Sequence, residues 1–274
     1  MDDIEFARDR RTNKDRRANA RDTESTALVA ALERGAIEIL FQPQFAAVGG
    51  KLIGAEALAR WNLPDCTVIG AAALFEAAER GGLATRLSRH VAVAALGAAA
   101  QWREGLQLSL NVTAVDLAEA NFANAIAAAV AETDFPPERL TLEITEQALV
   151  ANLDRSAERL RQLADLGVRI ALDDFGAGFC NFGYLKRLPL HYLKLDRSMV
   201  DGIDDNPRDL AVLRGIISMA VALGLDVVAE GVEREAQRST IEREGCIAWQ
   251  GFLGARPLSA VEFAEMTSAT FRLG

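Results

Sequence analysis

Eight short apolar runs alternate with helical stretches along most of this chain, and that alternation restricts its fold more than any other feature. The runs are 37–44, 51–61, 106–112, 140–145, 168–174, 192–196, 226–232 and 247–251. Between them apolar residues recur at three- and four-residue spacing, as in "STALVAALERG" and "AAALFEAAERGGL", and 154–166, 206–224 and 234–244 also read as helices. Strand and helix units in series over about 250 residues predict a closed (β/α)8 barrel. The first connection departs from this plan. "FAAVGG" is too short for a crossover helix, so the first strand is expected to run antiparallel to the others. The expected fold is therefore α/β, a modified TIM barrel with one antiparallel strand. An open doubly wound sheet is the rival, but "GAGFCNFG" puts Asn181 where a dinucleotide fingerprint needs its third glycine.

The 274 residues, half of them hydrophobic, suffice for one large domain or two small ones. Residues 1–25, charged with both signs and poor in apolar side chains, read as a tail or linker. Residues 26–274 read as the barrel. The longest apolar run, 91–100, is too short to span a bilayer, and no signal-peptide pattern opens the chain. Three widely spaced cysteines fit a reducing cytoplasm. A net charge of −9 argues against DNA binding. With two histidines in the whole chain, acid–base or metal chemistry should rest on carboxylates.

Polar residues fall at the C-terminal ends of the strands from the second onward: Glu56, Asn111, Glu143, Asp173 with Asp174, Lys194 with Asp196, Glu230 with Glu233, and Gln250. In a barrel these ends converge on one mouth. One strand-end carboxylate is an ordinary cap or ion-pair partner. A series of them, mutually repulsive and costly to bury, calls for a divalent cation, and hard Mg2+ or Mn2+ prefers oxygen ligands. The adjacent pair Asp173–Asp174 suits a two-metal site acting at phosphorus. Within a regular strand the two would face opposite ways, so the turn that follows, with Gly176 and Gly178, is expected to redirect Asp174. Asp174 could instead cap the next helix.

Seven motifs in order, "EALARW" (56–61), "LNVT" (110–113), "LEITE" (142–146), "ALDDFGAG" (171–178), "YLKLDRSMV" (192–200), "VVAEGVE" (227–233) and "QGFLGARPL" (250–258), resemble the EAL-domain cyclic di-GMP phosphodiesterases over roughly residues 26–260. The resemblance implies hydrolysis of cyclic di-GMP to linear pGpG with two cations, Mg2+ or Mn2+, and inhibition by Ca2+. It implies that Glu56, Asn111, Glu143 and Asp173 bind the first metal, and that Asp173 bridges to a second site completed by Asp174 and Glu230. Lys194 would hold or activate the attacking water, and Asp196 would support the cluster. Glu146 and Glu233 would anchor the loop after the fifth strand, Gln250 would brace the site, and Gln42, Leu58 and Arg60 would contact the dinucleotide. A homodimer, an upstream sensor or regulatory domain and no membrane segment are further expectations. The sequence departs from the family at Phe179-Cys180-Asn181, where tyrosine and two serines are usual, and at Phe41, Gly70, Ala77, Ala177 and His191. A non-catalytic cyclic di-GMP receptor is the alternative, opposed by the complete ligand set. An interaction module that ignores the nucleotide and an unrelated metal-dependent barrel enzyme are the remaining readings.

Overall fold

The computed structural model describes residues 23–149, 153–178 and 182–270. Phe179, Cys180 and Asn181, and all but the last three residues of the 1–25 segment, lie outside the described residues. Nine strands form one sheet: β1 (Ile37–Ala46), β2 (Leu52–Asn62), β3 (Val68–Ile69), β4 (Gln107–Val112), β5 (Leu140–Thr145), β6 (Arg169–Phe175), β7 (Tyr192–Leu195), β8 (Asp226–Ala229) and β9 (Ala248–Gln250). Their order is β1-β9-β8-β7-β6-β5-β4-β2-β3, and β1 also pairs with β2, which closes an eight-stranded barrel with β3 as an appendage. The strands β2 and β4 to β9 are parallel. β1 runs antiparallel to β9, as its short connection to β2 dictates. The two-residue β3 was not expected from the sequence; it pairs antiparallel with the end of β2.

The chain divides into two compact units. The larger, residues 39–58 and 91–274, carries the barrel strands. Their outward residues, among them Leu108, Leu110, Leu140, Leu142, Ile144, Ile170, Leu172, Leu193 and Leu195, are buried in one apolar cluster with helical residues such as Ile126, Leu160, Leu163, Leu213 and Ile241. Parallel strands covered on one face by helices and closed on the other read as near-continuous apolar runs, as these do. Gly54 is required where β2 meets β4, since a Cβ there would lie 2.3 Å from the Gln107 carbonyl oxygen. The smaller unit takes in residues up to 38 and 59–90. It contains a helix over residues 23–34, β3 and the helix Ala71–Arg80. Leu28, Leu74, Ala78 and Leu87 are buried in it, and Arg80 pairs with Glu24 at 3.1 Å. Gly70 starts the Ala71–Arg80 helix without a side-chain cap. Among the described residues no helix is long and apolar enough to cross a membrane.

Candidate active site

Side chains along a strand alternate faces, so the barrel interior is built in layers two residues apart. Ala171, Tyr192, Val228 and Ala248, with Ile53 against them, form a small apolar plug. Two residues further along the same strands stand Asp173, Lys194, Glu230 and Gln250. On β4 and β5, Asn111 and Glu143 are direct neighbours in register. Thr113, which closes the "LNVT" motif, is spent on structure: it caps the helix Ala114–Ala118 in a capping box with Asp116.

Lys194 sits at the centre, 2 % exposed. Its Nζ lies 2.5 Å from Glu143 Oε2, 2.6 Å from Glu230 Oε1, 3.0 Å from Asp173 Oδ1 and 3.8 Å from Glu56 Oε2. Burial opposes the ammonium's charge, but the carboxylates of Asp173, Glu143, Glu230 and Glu56 outweigh it and hold the lysine well above its ordinary range. The acids respond in the opposite sense. Burial, aided by the neighbouring carboxylates and only partly offset by Lys194, pushes Glu143 well up and Glu230 up to about 8. One ammonium among four carboxylates, three of them buried and that of Glu230 partly so, leaves an excess of negative charge, which a cation or protons must compensate.

Amide groups frame the carboxylates. Asn111 Nδ2 donates to Glu56 Oε1 at 2.6 Å, and Gln250 Nε2 donates to Glu56 Oε2 at 2.8 Å and to Glu230 Oε1 at 3.0 Å. Asp173 and Asp174 reach the same site by a β-bulge. Leu172 pairs with Leu193 and Phe175 with Leu195, so β6 carries one residue more than β7 between these pairs. Asp174 takes the left-handed conformation, φ 55°. The redirection expected of the glycine turn is thus made by Asp174 itself, two residues before Gly176. As a result Asp173, Asp174 and Glu230 can each bring a carboxylate oxygen within 4.8 Å of the others. Burial, then the Asp173 charge, raises the Asp174 carboxyl above its ordinary value.

These residues suit a hard divalent cation. The donors are all oxygen. In addition, Asp173 Oδ1 is buried and, although 3.0 Å from Lys194 Nζ, receives no hydrogen bond among the described residues. A buried carboxylate oxygen with a vacant lone pair is a ready ligand.

Beside the cluster opens a cleft of about 270 Å3 lined by Gln42, Glu56, Leu58, Asp196, Arg197, Glu230, Glu233, Gln250 and Phe252, with Gly231 and Gly251. Gln42 is fixed by donation to the Ala255 carbonyl at 2.5 Å. Asp196 lies in the cleft, but its Oδ1 caps the helix Arg197–Val200 by accepting from Ser198. Glu233 pairs with Arg197 at 2.8 Å. The stem of Arg197 crosses Gly231, where φ is +67° and a Cβ would lie 2.6 Å from Arg197 Cβ and Cγ. Glu146 begins the helix after β5, and its buried Oε1 has no hydrogen-bond partner among the described residues. Arg60 belongs to the smaller unit, where its Nη1 donates to the Ala59 carbonyl at 2.9 Å. Sequence reasoning passed over Gln44, Ser109, Thr141 and Arg197. The first three stand two positions from Gln42, Asn111 and Glu143 on the same strands, so strand periodicity was the signal for them.

The EAL domain family model matches residues 25–257. The chain belongs to the EAL domain family. Among curated relatives, the cyclic di-GMP phosphodiesterase RocR of Pseudomonas aeruginosa is 35 % identical over 89 % of this chain and 63 % of its own length. The bifunctional diguanylate cyclase/cyclic di-GMP phosphodiesterase MucR of the same species is 36 % identical over 84 % of this chain and 34 % of its own. This EAL chain therefore spans between about a third and two thirds of those relatives. The solved phosphodiesterase of PaMucR in complex with c-di-GMP superposes with a TM-score of 0.82 at 34 % identity, covering 88 % of this chain and 99 % of that one. The EAL enzyme Bd1971, bound to cAMP and cyclic di-GMP, superposes at 0.86 with 25 % identity, over 96 % of this chain and 74 % of that one.

Proposed function

We propose that this EAL domain is a divalent-metal-dependent phosphodiesterase that hydrolyses cyclic di-GMP to linear pGpG, with residues 26–274 as the catalytic barrel. The observation that carries the reading is the convergence of Glu56, Glu143, Asp173 and Glu230 on Lys194, with Asp174 turned into the same site. The family relatives that act on cyclic di-GMP supply the substrate class. Glu56, Asn111, Glu143 and Asp173 would hold the first cation, Mg2+ or Mn2+, and Asp173, Asp174 and Glu230 the second. When bound, the cations supply Lewis acidity at the phosphodiester and make water nucleophilic near neutral pH.

The chain's own residues do the rest. Lys194 keeps its proton against four carboxylates, so it orients the attacking water by donating to it rather than acting as a base. Gln250 and Asn111 hold Glu56 by hydrogen bonds to both of its oxygens. Gln42 and Leu58 present an amide and an apolar surface to the dinucleotide in the cleft, and the forked guanidinium of Arg60 matches a phosphate. Asp196 contributes a carboxylate at the cleft wall. Glu146 and Glu233 anchor the loop that follows β6, Glu146 through a buried oxygen that has no hydrogen-bond partner among the described residues. The same reading makes the protein a cytoplasmic homodimer governed by a sensor or regulatory partner, with residues 1–25 as tail or linker.

Incubation of the purified protein with cyclic di-GMP and Mg2+ or Mn2+, with products resolved by chromatography, tests this. Formation of pGpG, abolished in Glu56→Ala, is expected. Saturable binding without turnover would replace the enzyme with a receptor.

A further inference from the structure

The amide of Gln250 presents its NH2 to Glu56 and Glu230, the orientation that carboxylates holding a cation require, since in that state they only accept hydrogen bonds. That leaves Gln250 Oε1 pointing away from the cluster into the barrel, buried and in need of a donor. The donor is Gln44, whose Nε2 lies 3.1 Å from Gln250 Oε1. The two residues are 206 positions apart in sequence but directly opposite in the β1–β9 pair. Both are buried. Gln44 is in turn steadied by Ser109, whose Oγ lies 3.5 Å from the same nitrogen. Because β1 runs against the other strands, Gln42 faces the cleft while Gln44 lies two residues deeper, in the wall of a cavity of about 70 Å3 shared with Ser109, Thr141, Glu143 and Lys194.

From this geometry we infer that Gln44 is a positioning residue for the cation site: it fixes the Gln250 amide in the one orientation that donates to both Glu56 and Glu230, and so sets the two carboxylates for binding a divalent cation. Without the Gln44 donor, Gln250 gains nothing from keeping its oxygen inward. Its Oε1 would be a buried acceptor without a donor, and relieving that by turning the side chain would draw the NH2 off the two carboxylates. The inference rests on the proposed cation site but not on the identity of the substrate.

The test is a double-mutant cycle on cation affinity, read by Mn2+ electron paramagnetic resonance on the full chain without nucleotide, with cyclic di-GMP turnover measured in parallel. Gln44→Met and Gln250→Met should each weaken Mn2+ binding by about tenfold or more, the usual consequence of losing a hydrogen-bond partner of a metal ligand. The double variant should be no weaker than the worse single variant, because Gln44 acts through Gln250. Circular dichroism of each variant separates loss of affinity from loss of fold. Unchanged Mn2+ affinity in Gln44→Met, or additive losses in the double variant, would overturn the inference. So would failure of the wild-type chain to bind Mn2+. Wild-type Mn2+ binding with the coupled pattern, but no hydrolysis of cyclic di-GMP, would sink the proposed function and leave the Gln44–Gln250 coupling standing.

Discussion

Replacing Lys194 with methionine keeps most of the side-chain volume and removes the ammonium that lies within 4 Å of Glu56, Glu143, Asp173 and Glu230. Removing one partner of a buried ion pair typically costs about 3–5 kcal/mol, because the remaining charge is left uncompensated. Four carboxylates would make the loss larger still, but they can escape by taking protons. Glu143 and Glu230 are already displaced upward, Glu230 to about 8, and Lys194 is what restrains them. The direction with pH follows. A carboxyl raised in the folded state binds its proton more tightly there than in the unfolded chain. Its contribution to stability is therefore full below about 4.5 and is lost as pH rises through about 8 for Glu230. Without Lys194 both carboxyls rise further, so the deficit of the variant should be small at pH 5 and reach about 3–5 kcal/mol at pH 8. By the usual scaling for a chain of this size, that lowers the melting temperature by roughly 6–20 °C. Guanidinium denaturation followed by circular dichroism, in EDTA at both pH values, measures it. Equal deficits at pH 5 and pH 8, or a loss below about 1 kcal/mol at pH 8, would show that the lysine is not the counter-ion of this cluster.

Mn2+ binding to the EDTA-treated wild type should release protons at pH 7, and affinity should climb with pH and level off above about 8 as Glu230 loses its proton; calorimetry in buffers of different ionisation enthalpy counts the protons, and no release would contradict the raised carboxyls. Replacing Mg2+ by Ca2+ should suppress hydrolysis of cyclic di-GMP, because the larger ion takes more ligands at longer distances; full turnover with Ca2+ would count against a compact two-cation site. Gly54→Ala should destabilise the fold by about 1–3 kcal/mol through collision with the β4 backbone, read as a fall in denaturation midpoint. Cys66, exposed, should react with a thiol reagent at pH 8, whereas Cys246, buried and with its thiol pushed up to about 12, should stay unmodified until the protein unfolds; equal rates in the native state would refute the burial of Cys246.

The barrel was legible because its signals are local. Runs such as "LTLEIT" and "YLKL" have the length and composition of buried parallel strands, and the observed limits of β5, β6 and β7 fall within a residue of those expected. The five-residue link from β1 to β2 left no room for a crossover, so its direction was fixed by chain length alone. The two-residue β3 carries too little pattern to be seen in advance. Residues at strand ends could be named as site candidates because a barrel brings those ends together whatever the details. Arg197 could not, since its place in the cleft comes from crossing Gly231 on another strand's loop.

By itself, then, the sequence determined the eight barrel strands, which of them runs backward and which polar residues stand at the strand ends, because hydrophobic period and connection length are properties of neighbouring residues. Tertiary structure alone decided how Asp173 and Asp174 come to share a site, since adjacent strand residues face opposite ways until pairing with β7 leaves one residue of β6 over and Asp174 adopts a positive φ. It likewise decided that Lys194 is surrounded by four carboxylates and that Gln44 meets Gln250. Those contacts depend on strand register, which is settled by packing between segments far apart in the chain and leaves no mark on any one of them.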